Sequence, residues 1–545
     1  MRSMKIFANL RHITVEFSLR FTHAIKSFLY TYHTGILFGA LVYLSLSSWI
    51  FFSQDGLNLS YNDAMSHLDI ARRVVDNIKP GLTQLGSVWL PLFHVLMLPT
   101  IWIDGFWRSG LSAGIISMTS FILTALFVYL TVRLLTEKAF PAFLSAFIVA
   151  LNPNFLYVQT TALTEPLFMA VFTMAVYFFA RWIKQKDPLD IVVSAFFVCL
   201  ATLTRYDGWF LLIFTAMAIF VPVLLRSGWQ KAKGLTILFG TLGGFGVILW
   251  FLYNQLIFGD LFYFAFSEFS AKSQQDRLIA AGVLPTKGNM VLSLITYYYA
   301  IIDNLGLIIL VLGTIGLAIY LLKNRNMTSF FFCLVVLSPI IFNAVALFLG
   351  HSVIYLPEVT KNSWFNVRYG LIALPSLAIF IGYLLSRNNF IFNLSIFAIV
   401  IMNSLSFVMS NNIITITDGL IGSSQKNVRR LGESIHVLVS QDKGLILASA
   451  ASHDAILFSS QLPMKEFIHE GTGNLWHKSL QDPSRYAKYI IMRSNDDTDI
   501  VSKAMKDVPN FSKHYEMIYD GDFADLYKKR DNSTSAFINS SSHQY

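Results

Sequence analysis

Between residue 35 and about residue 410 the chain returns again and again to apolar runs long enough to cross a bilayer. A helix rises roughly 1.5 Å per residue, so about 20 apolar residues cover ~30 Å of hydrocarbon. The runs stand at about 35–53, 111–132, 141–158, 164–182, 190–204, 208–225, 235–257, 291–322, 328–349, 369–386 and 389–410. They predict a polytopic α-helical membrane protein with about eleven transmembrane helices. The composition agrees: 13% of residues are charged, where soluble domains carry about 25%. A shorter segment, 88–103, is interrupted by Pro91 and Pro99 and reads as a half-buried or re-entrant helix. Cys199 and Cys333 both fall inside apolar runs and say nothing about redox compartment. The first run begins after some 34 residues and lacks a small-residue cleavage site, so it reads as an uncleaved span.

The charges orient this layout. Basic residues concentrate in cytoplasmic loops. With the N-terminus inside, the inside loops hold sixteen bases, from Arg2 and Lys5 through Arg133, Lys186 and Arg226 to Arg387. They hold four acids, Glu16, Glu137, Asp187 and Asp190. The net charge of +9 is therefore a matter of topology and not of nucleic-acid affinity. The outside loops follow by alternation: about 54–110, 159–164, 205–207, 258–290 and 350–368. Residues 1–34 form a cytoplasmic N-terminus and 35–410 the membrane domain. Residues 411–530 lose the hydrophobic density and read as an extramembrane α/β domain on the outer side. Its buried strands are expected at Gly444–Ala448 and Tyr489–Met492. The Ser- and Asn-rich end, 531–545, reads as disordered. The chain has no internal repeat, and no inverted-repeat pair of broken helices of the kind transporters use.

Four polar clusters lie at the outer ends of spans, where a bundle would bring them to one face. The first is Asp63, with His67 four residues on and sharing its helix face, and Asp69 nearby. The second is Thr164-Glu165-Pro166, with proline suited to a helix's first turn and the acid at the positive end of its dipole. The third is Thr204-Arg205-Tyr206-Asp207-Gly208-Trp209, and the fourth runs from Lys361 to Gly370 through Arg368 and Tyr369. Acids alone would point to a general base or a metal site. Acids beside outward-facing Arg and Lys point to proton removal from a nucleophile next to a bound phosphate.

In order and common side, these clusters resemble the GT-C superfamily of polyprenyl-phosphate-sugar glycosyltransferases, such as the protein O-mannosyltransferases and the lipid A aminoarabinose transferase. The stretch from Asp63 to Asp76, followed by Pro80 to His94, resembles that family's first loop. Thr164-Glu165-Pro166, Arg205 to Trp209 and Asn366 to Leu371 resemble its later motifs. The likeness covers residues 35–410, and the tail more weakly. Two departures stand out: many relatives have Asp-Glu where this chain has Asn62-Asp63-Ala64, and the aminoarabinose branch often has Asp where this chain has Glu165. Both bear on the acceptor more than on the reaction.

The resemblance implies catalytic roles for Asp63 and Glu165, and substrate-binding roles for His67, Arg205, Asp207, Lys361, Arg368 and Tyr369. Most of them, and their neighbours, have an ordinary alternative. Asp63 could cap the helix that follows it. His67 could be a loop histidine with a routine hydrogen bond, and Asp69 a solvated helix residue. Arg72 and Arg73 could meet lipid headgroups or donor phosphate. Glu165 could simply favour its helix, worth ~0.3–1 kcal/mol. Arg205 and Asp207 could pair across their turn, and Arg368 could be a snorkelling arginine at a span end. A divalent metal on Asp63, His67 and Glu165 stays as a minor alternative, because hard cations want several oxygen ligands and the relatives are mostly metal-independent.

The function so implied is inverting transfer of a sugar from a polyprenyl-phosphate donor to a lipid, glycan or protein acceptor, at the outer face of the cytoplasmic membrane and without a cofactor. The expected partners are that donor, that acceptor and membrane lipids, with no nucleic acid. No Walker or dinucleotide fingerprint is present. A lipid-linked sugar flippase would place ionisable residues in mid-span, and a non-catalytic assembly subunit would not need the four clusters together.

Overall fold

The computed structural model describes residues 34–530 apart from 268–269, 361–362, 423–427, 495 and 497–498. The expected N-terminal segment before Thr34, the tail 531–545 and Lys361 lie outside the described residues.

Every apolar run forms helix, and the chain is a multi-pass membrane protein, but the number of full-length spans differs from the expected eleven. Among the described residues seven helices are long and apolar enough to cross a membrane, or up to nine if each of two bent pairs is one span. The seven are Thr34–Gln54, Leu111–Thr136, Glu165–Gln185, Asp207–Ser227, Met327–Leu349, Val367–Ser386 and Phe390–Ile421. The run expected at 141–158 stops short because Asn152 accepts a bond from the Phe155 N–H and Pro153 opens a new helix, Pro153–Val158. That leaves Ala139–Ala150, of 12 residues. The run expected at 190–204 is the 15-residue helix Pro188–Thr202. Residues 291–322, read as one span, break at Gly306 into Met290–Leu305 and Leu307–Lys323, which meet at 110°. Gly306 has φ 84°, a left-handed conformation that glycine adopts without strain.

Two features of the first loop position the site. The helix Asn62–Val75 begins after an extended Tyr61, carries Asp63 in its first turn and Arg72 and Arg73 in its last, so its charges suit the helix dipole at both ends. Its face of Ala64, Leu68 and Ala71 is fully buried. The helix Leu92–Ile101 is half-buried as expected: Phe93 and Met97 point inward while Val95 and Leu96 are exposed.

Beyond the bundle lies a five-stranded sheet in the order β2-β1-β3-β5-β4. Its strands are β1 Ile446–Leu447, β2 Phe467–Ile468, β3 Tyr489–Met492, β4 Tyr515–Tyr519 and β5 Asp525–Lys529. The first three are parallel, and β5 runs antiparallel to both β3 and β4. The two strands expected from sequence are β1 and β3, and all four residues of β3 are buried, as in a strand covered on both faces. Alternate residues divide between two apolar layers. Ile446, Phe467, Tyr489 and Ile491 join the core that continues into the helix bundle, whereas Leu447, Ile468, Ile490 and Met492 face a separate cluster around Trp476.

Candidate active site

Arg368 is the hub. Asn366, in a left-handed conformation (φ 56°), turns the chain into a short 3-10 helix, Val367–Ala373, which carries Arg368 into the bundle mouth. The guanidinium donates through Nη2 to Asp63 and through Nε to Glu165 Oε1 at 3.1 Å. Its Nη1 stands 3.9 Å from Asp418 Oδ2. The group lies over Tyr61 and Tyr369, 4.8 and 5.2 Å from the ring centroids. A second guanidinium sits beside it. Arg205 donates to Glu165 Oε1 at 3.0 Å, to Thr164 Oγ1 at 3.2 Å and to Asp207 Oδ2 at 3.1 Å. It lies 4.9 Å over the other partner ring, Tyr369. Asn343 Nδ2 completes the group with a bond to Asp207 Oδ1 at 3.1 Å.

Four carboxylates therefore surround two guanidiniums, and they are not equally accessible. The side chains of Glu165, Asp207 and Asp418 are 2%, 1% and 0% exposed, whereas Asp63 is 37% exposed. Asp63 is thus the acid that an incoming group can reach. Glu165 is held behind the two arginines, where its one oxygen accepts from both. Three buried polar atoms of the cluster, Glu165 Oε2, Arg368 Nη1 and Asp418 Oδ1, make no hydrogen bond. Among the described residues no group of three or more His, Cys, Asp or Glu side chains is placed to hold a metal ion.

Asp63, Glu165, Arg205, Asp207, Arg368 and Tyr369 are brought together. His67 lies at the edge of the group: it is buried against Trp89 and Phe93, and its Nδ1 is 2.8 Å from His94 Nε2. Burial first, then the charges of Arg368 and Arg205, push its imidazole down to about 3, so it is neutral at physiological pH. Three expectations need correction. Asp69 is not solvated; it is fully buried and accepts from Trp107 Nε1 at 3.1 Å. Arg72 is taken up by Asp76 and Asp104 at 3.0 and 2.6 Å, and Arg73 by Asp454 at 2.7 Å, which leaves neither facing lipid headgroups or substrate. These arginines hold the first loop together and tie it to the C-terminal region. Sequence reasoning also missed Asp418, whose one signal was to be the first acid after the last apolar run, and Tyr61, which adjoins the Asp63 cluster but carries no charge.

The profile of the family described as "Dolichyl-phosphate-mannose-protein mannosyltransferase" matches residues 103–253, a stretch that takes in Glu165, Arg205 and Asp207 but neither Asp63 nor Arg368. No curated protein matches the chain in sequence. Among solved structures, ArnT from Cupriavidus metallidurans bound to undecaprenyl phosphate is similar with a TM-score of 0.57 at 12% identity, over 92% of this chain and 99% of that one. The apo form of the oligosaccharyltransferase of Archaeoglobus fulgidus is similar with a TM-score of 0.51 at 12% identity, over 92% of this chain and 75% of that one. The helix bundle, the outer-loop helices and the C-terminal sheet thus form the fold of the GT-C superfamily of glycosyltransferases, which the order of the chain's polar clusters resembles.

Proposed function

We propose that the chain is an inverting glycosyltransferase that moves a sugar from a polyprenyl-phosphate carrier to a lipid, glycan or protein acceptor at the outer face of the cytoplasmic membrane. One observation carries the reading: the one accessible carboxylate of the cluster, Asp63, is bound to the guanidinium of Arg368. A base and a phosphate partner therefore occupy the same point. The similar ArnT structure is bound to undecaprenyl phosphate, which supports a carrier of that chemistry here.

In this mechanism the donor phosphate takes the place of Asp63 on Arg368, and the carboxylate is released toward the acceptor. Asp63 accepts the proton of the acceptor's nucleophilic group as that atom bonds to the anomeric carbon from the side opposite the phosphate. The bond between that carbon and the phosphate oxygen breaks, and the electron pair leaves on polyprenyl phosphate. Arg368 and Arg205 neutralise the charge that develops there. Glu165 positions both guanidiniums, and the neutral His67 packs the wall beside them. Glu165 and Asp207 are the first residues of their helices and Arg368 opens its span, so the charges stand at helix ends and not in mid-span. That arrangement favours an enzyme over a flippase.

The test is purified protein in detergent with a labelled polyprenyl-phosphate sugar and a membrane extract as acceptor source. Label should pass to an acceptor with release of polyprenyl phosphate. A protein that binds the donor and carries it across liposome membranes unchanged is a flippase, and the proposal is then wrong.

A further inference from the structure

The break in the broken helix leaves carbonyls that the helix itself cannot satisfy, and in a membrane domain such groups need partners from the protein. Asparagines provide them. The Asn304 carbonyl accepts from Asn152 Nδ2 and Asn154 Nδ2, both at 3.0 Å, and the Leu305 carbonyl accepts from Asn403 Nδ2 at 3.0 Å. The bonds do not end there. The Asn304 amide donates to the carbonyl of Val367 at 2.7 Å, one residue before Arg368. Asn154 Oδ1 accepts from both the backbone N–H and the hydroxyl of Thr415, at 3.0 and 2.8 Å. The Thr415 carbonyl accepts from the Tyr61 hydroxyl at 2.6 Å, and the Tyr61 ring lies under the Arg368 guanidinium. The path is a closed circuit: it leaves Arg368 at its backbone and returns to it at its side chain.

Asn154, Asn304, Thr415 and Tyr61 are all 0% exposed, so no solvent can substitute for a lost bond. The Val367–Ala373 turn is also pressed against the Met290–Leu305 helix, because a Cβ on Gly370 would stand 2.1 Å from the Ala300 carbonyl oxygen. We propose that Asn304, Asn154 and Thr415 form a positioning frame for the donor site, in which the broken helix fixes the place and tilt of the Arg368 guanidinium. The frame rests on the reading of Arg368 as the donor-phosphate partner. Buried polar networks act as units, so loss of one member loosens the rest.

The experiment compares full-length Thr415→Val, which keeps the shape and loses the hydroxyl, with Thr415→Ser, which keeps the hydroxyl. Asn304→Ala is the stronger variant. Each is read for kcat and KM toward labelled polyprenyl-phosphate sugar, for KM toward the acceptor extract, and for direct binding of polyprenyl phosphate. Thr415→Val should lower donor kcat/KM and weaken polyprenyl-phosphate binding by about tenfold, the effect of one buried hydrogen bond. Acceptor KM should stay put, and Thr415→Ser should return close to the parent. Asn304→Ala should do at least as much harm; if it fails to fold, the Thr415 pair decides alone. If Thr415→Val melts lower yet keeps the parent's donor parameters, or if Thr415→Ser is as damaged as Thr415→Val, the network is only a helix cap and the frame is refuted. A parent protein that binds polyprenyl phosphate but transfers no sugar overturns the proposed function instead, and the binding comparison still judges the frame.

Discussion

At the scale of single residues, Arg368 joins Asp63 to Glu165, and Arg205 shares Glu165 with it. Glu165, Arg205 and Arg368 stand out because a charge beside a span needs a partner or a use. Asp418 and Tyr61 did not, because what gives them meaning is a pairing across more than 350 residues, Tyr61 with Asp418, that no local pattern encodes. Asp69 was misread for a related reason: its helix looks solvated until Trp107 closes over it. Two substitutions test the roles. Asp63→Asn keeps the size of the side chain and removes the proton acceptor, so turnover should fall by about 10²–10⁴-fold while polyprenyl-phosphate binding survives. Full activity in a steady-state assay would remove Asp63 from the mechanism. Arg368→Ala should weaken donor binding by the worth of a charge-assisted bond, about 1.5–3 kcal/mol. Arg368→Lys should recover part of it, because the planar fork that engages two partners is lost. Equal donor affinity in all three proteins would make Arg368 only an anchor.

At the scale of elements, hydropathy located the helices and missed their breaks. Both halves of the 290–323 run are apolar, so an averaging window passes over Gly306, whereas Asn152-Pro153 was a readable cap and first-turn proline inside another run. The Asn62–Val75 helix shows what such placement accomplishes. It presents Asp63 at one end and is clamped at the other by Arg73 on Asp454, side chains only 9% and 11% exposed. Burial pushes the Asp454 carboxyl from 3.8 up to about 6, even with Arg73 beside it. A carboxyl raised on folding holds its proton in the folded state between those values. Its contribution to stability is therefore present below about pH 4 and is lost as pH rises through about 6. The melting temperature in detergent should fall between about pH 4 and pH 6, and Asp454→Asn should reduce that slope, the buried Asp69 carboxyl, also raised, supplying the rest. Arg73→Ala strands a buried carboxylate, which destabilises by about 3 kcal/mol near pH 8 and by less at pH 5, where the carboxyl is already protonated. A loss that does not change with pH would mean that Arg73 acts through packing alone.

At the scale of the whole molecule, the fold class and two of the tail's five strands were legible because they rest on composition and periodicity, while the other three strands and the count of full-length spans were not. Parity arguments from eleven spans therefore lose their footing, and the basic bias of the loops has to carry the orientation by itself. The structure adds one constraint that the loops lack. Tyr61 bonds to Asp418, and Arg73 to Asp454, so the first loop, the acid cluster and the C-terminal sheet lie on one side of the bundle. Whichever side of the membrane holds the sheet also holds Asp63 and Arg368. The spans that start at Glu165, Asp207 and Val367 carry Lys184, Arg226 and Arg387 at their other ends, and that basic bias predicts the outer side for the cluster. A reporter active only outside the cytoplasm should give signal when fused after residue 411 and none when fused after Lys186. Cysteines placed at exposed positions of β4, such as Met517, should react with an impermeant maleimide in intact cells, since that side chain is 49% exposed. The reverse pattern in both assays would put the sheet and the acid cluster together in the cytoplasm. Donor and acceptor would then have to meet Asp63 on the inner face, and the outer-face part of the proposed function would fall while the chemistry at Arg368 could stand.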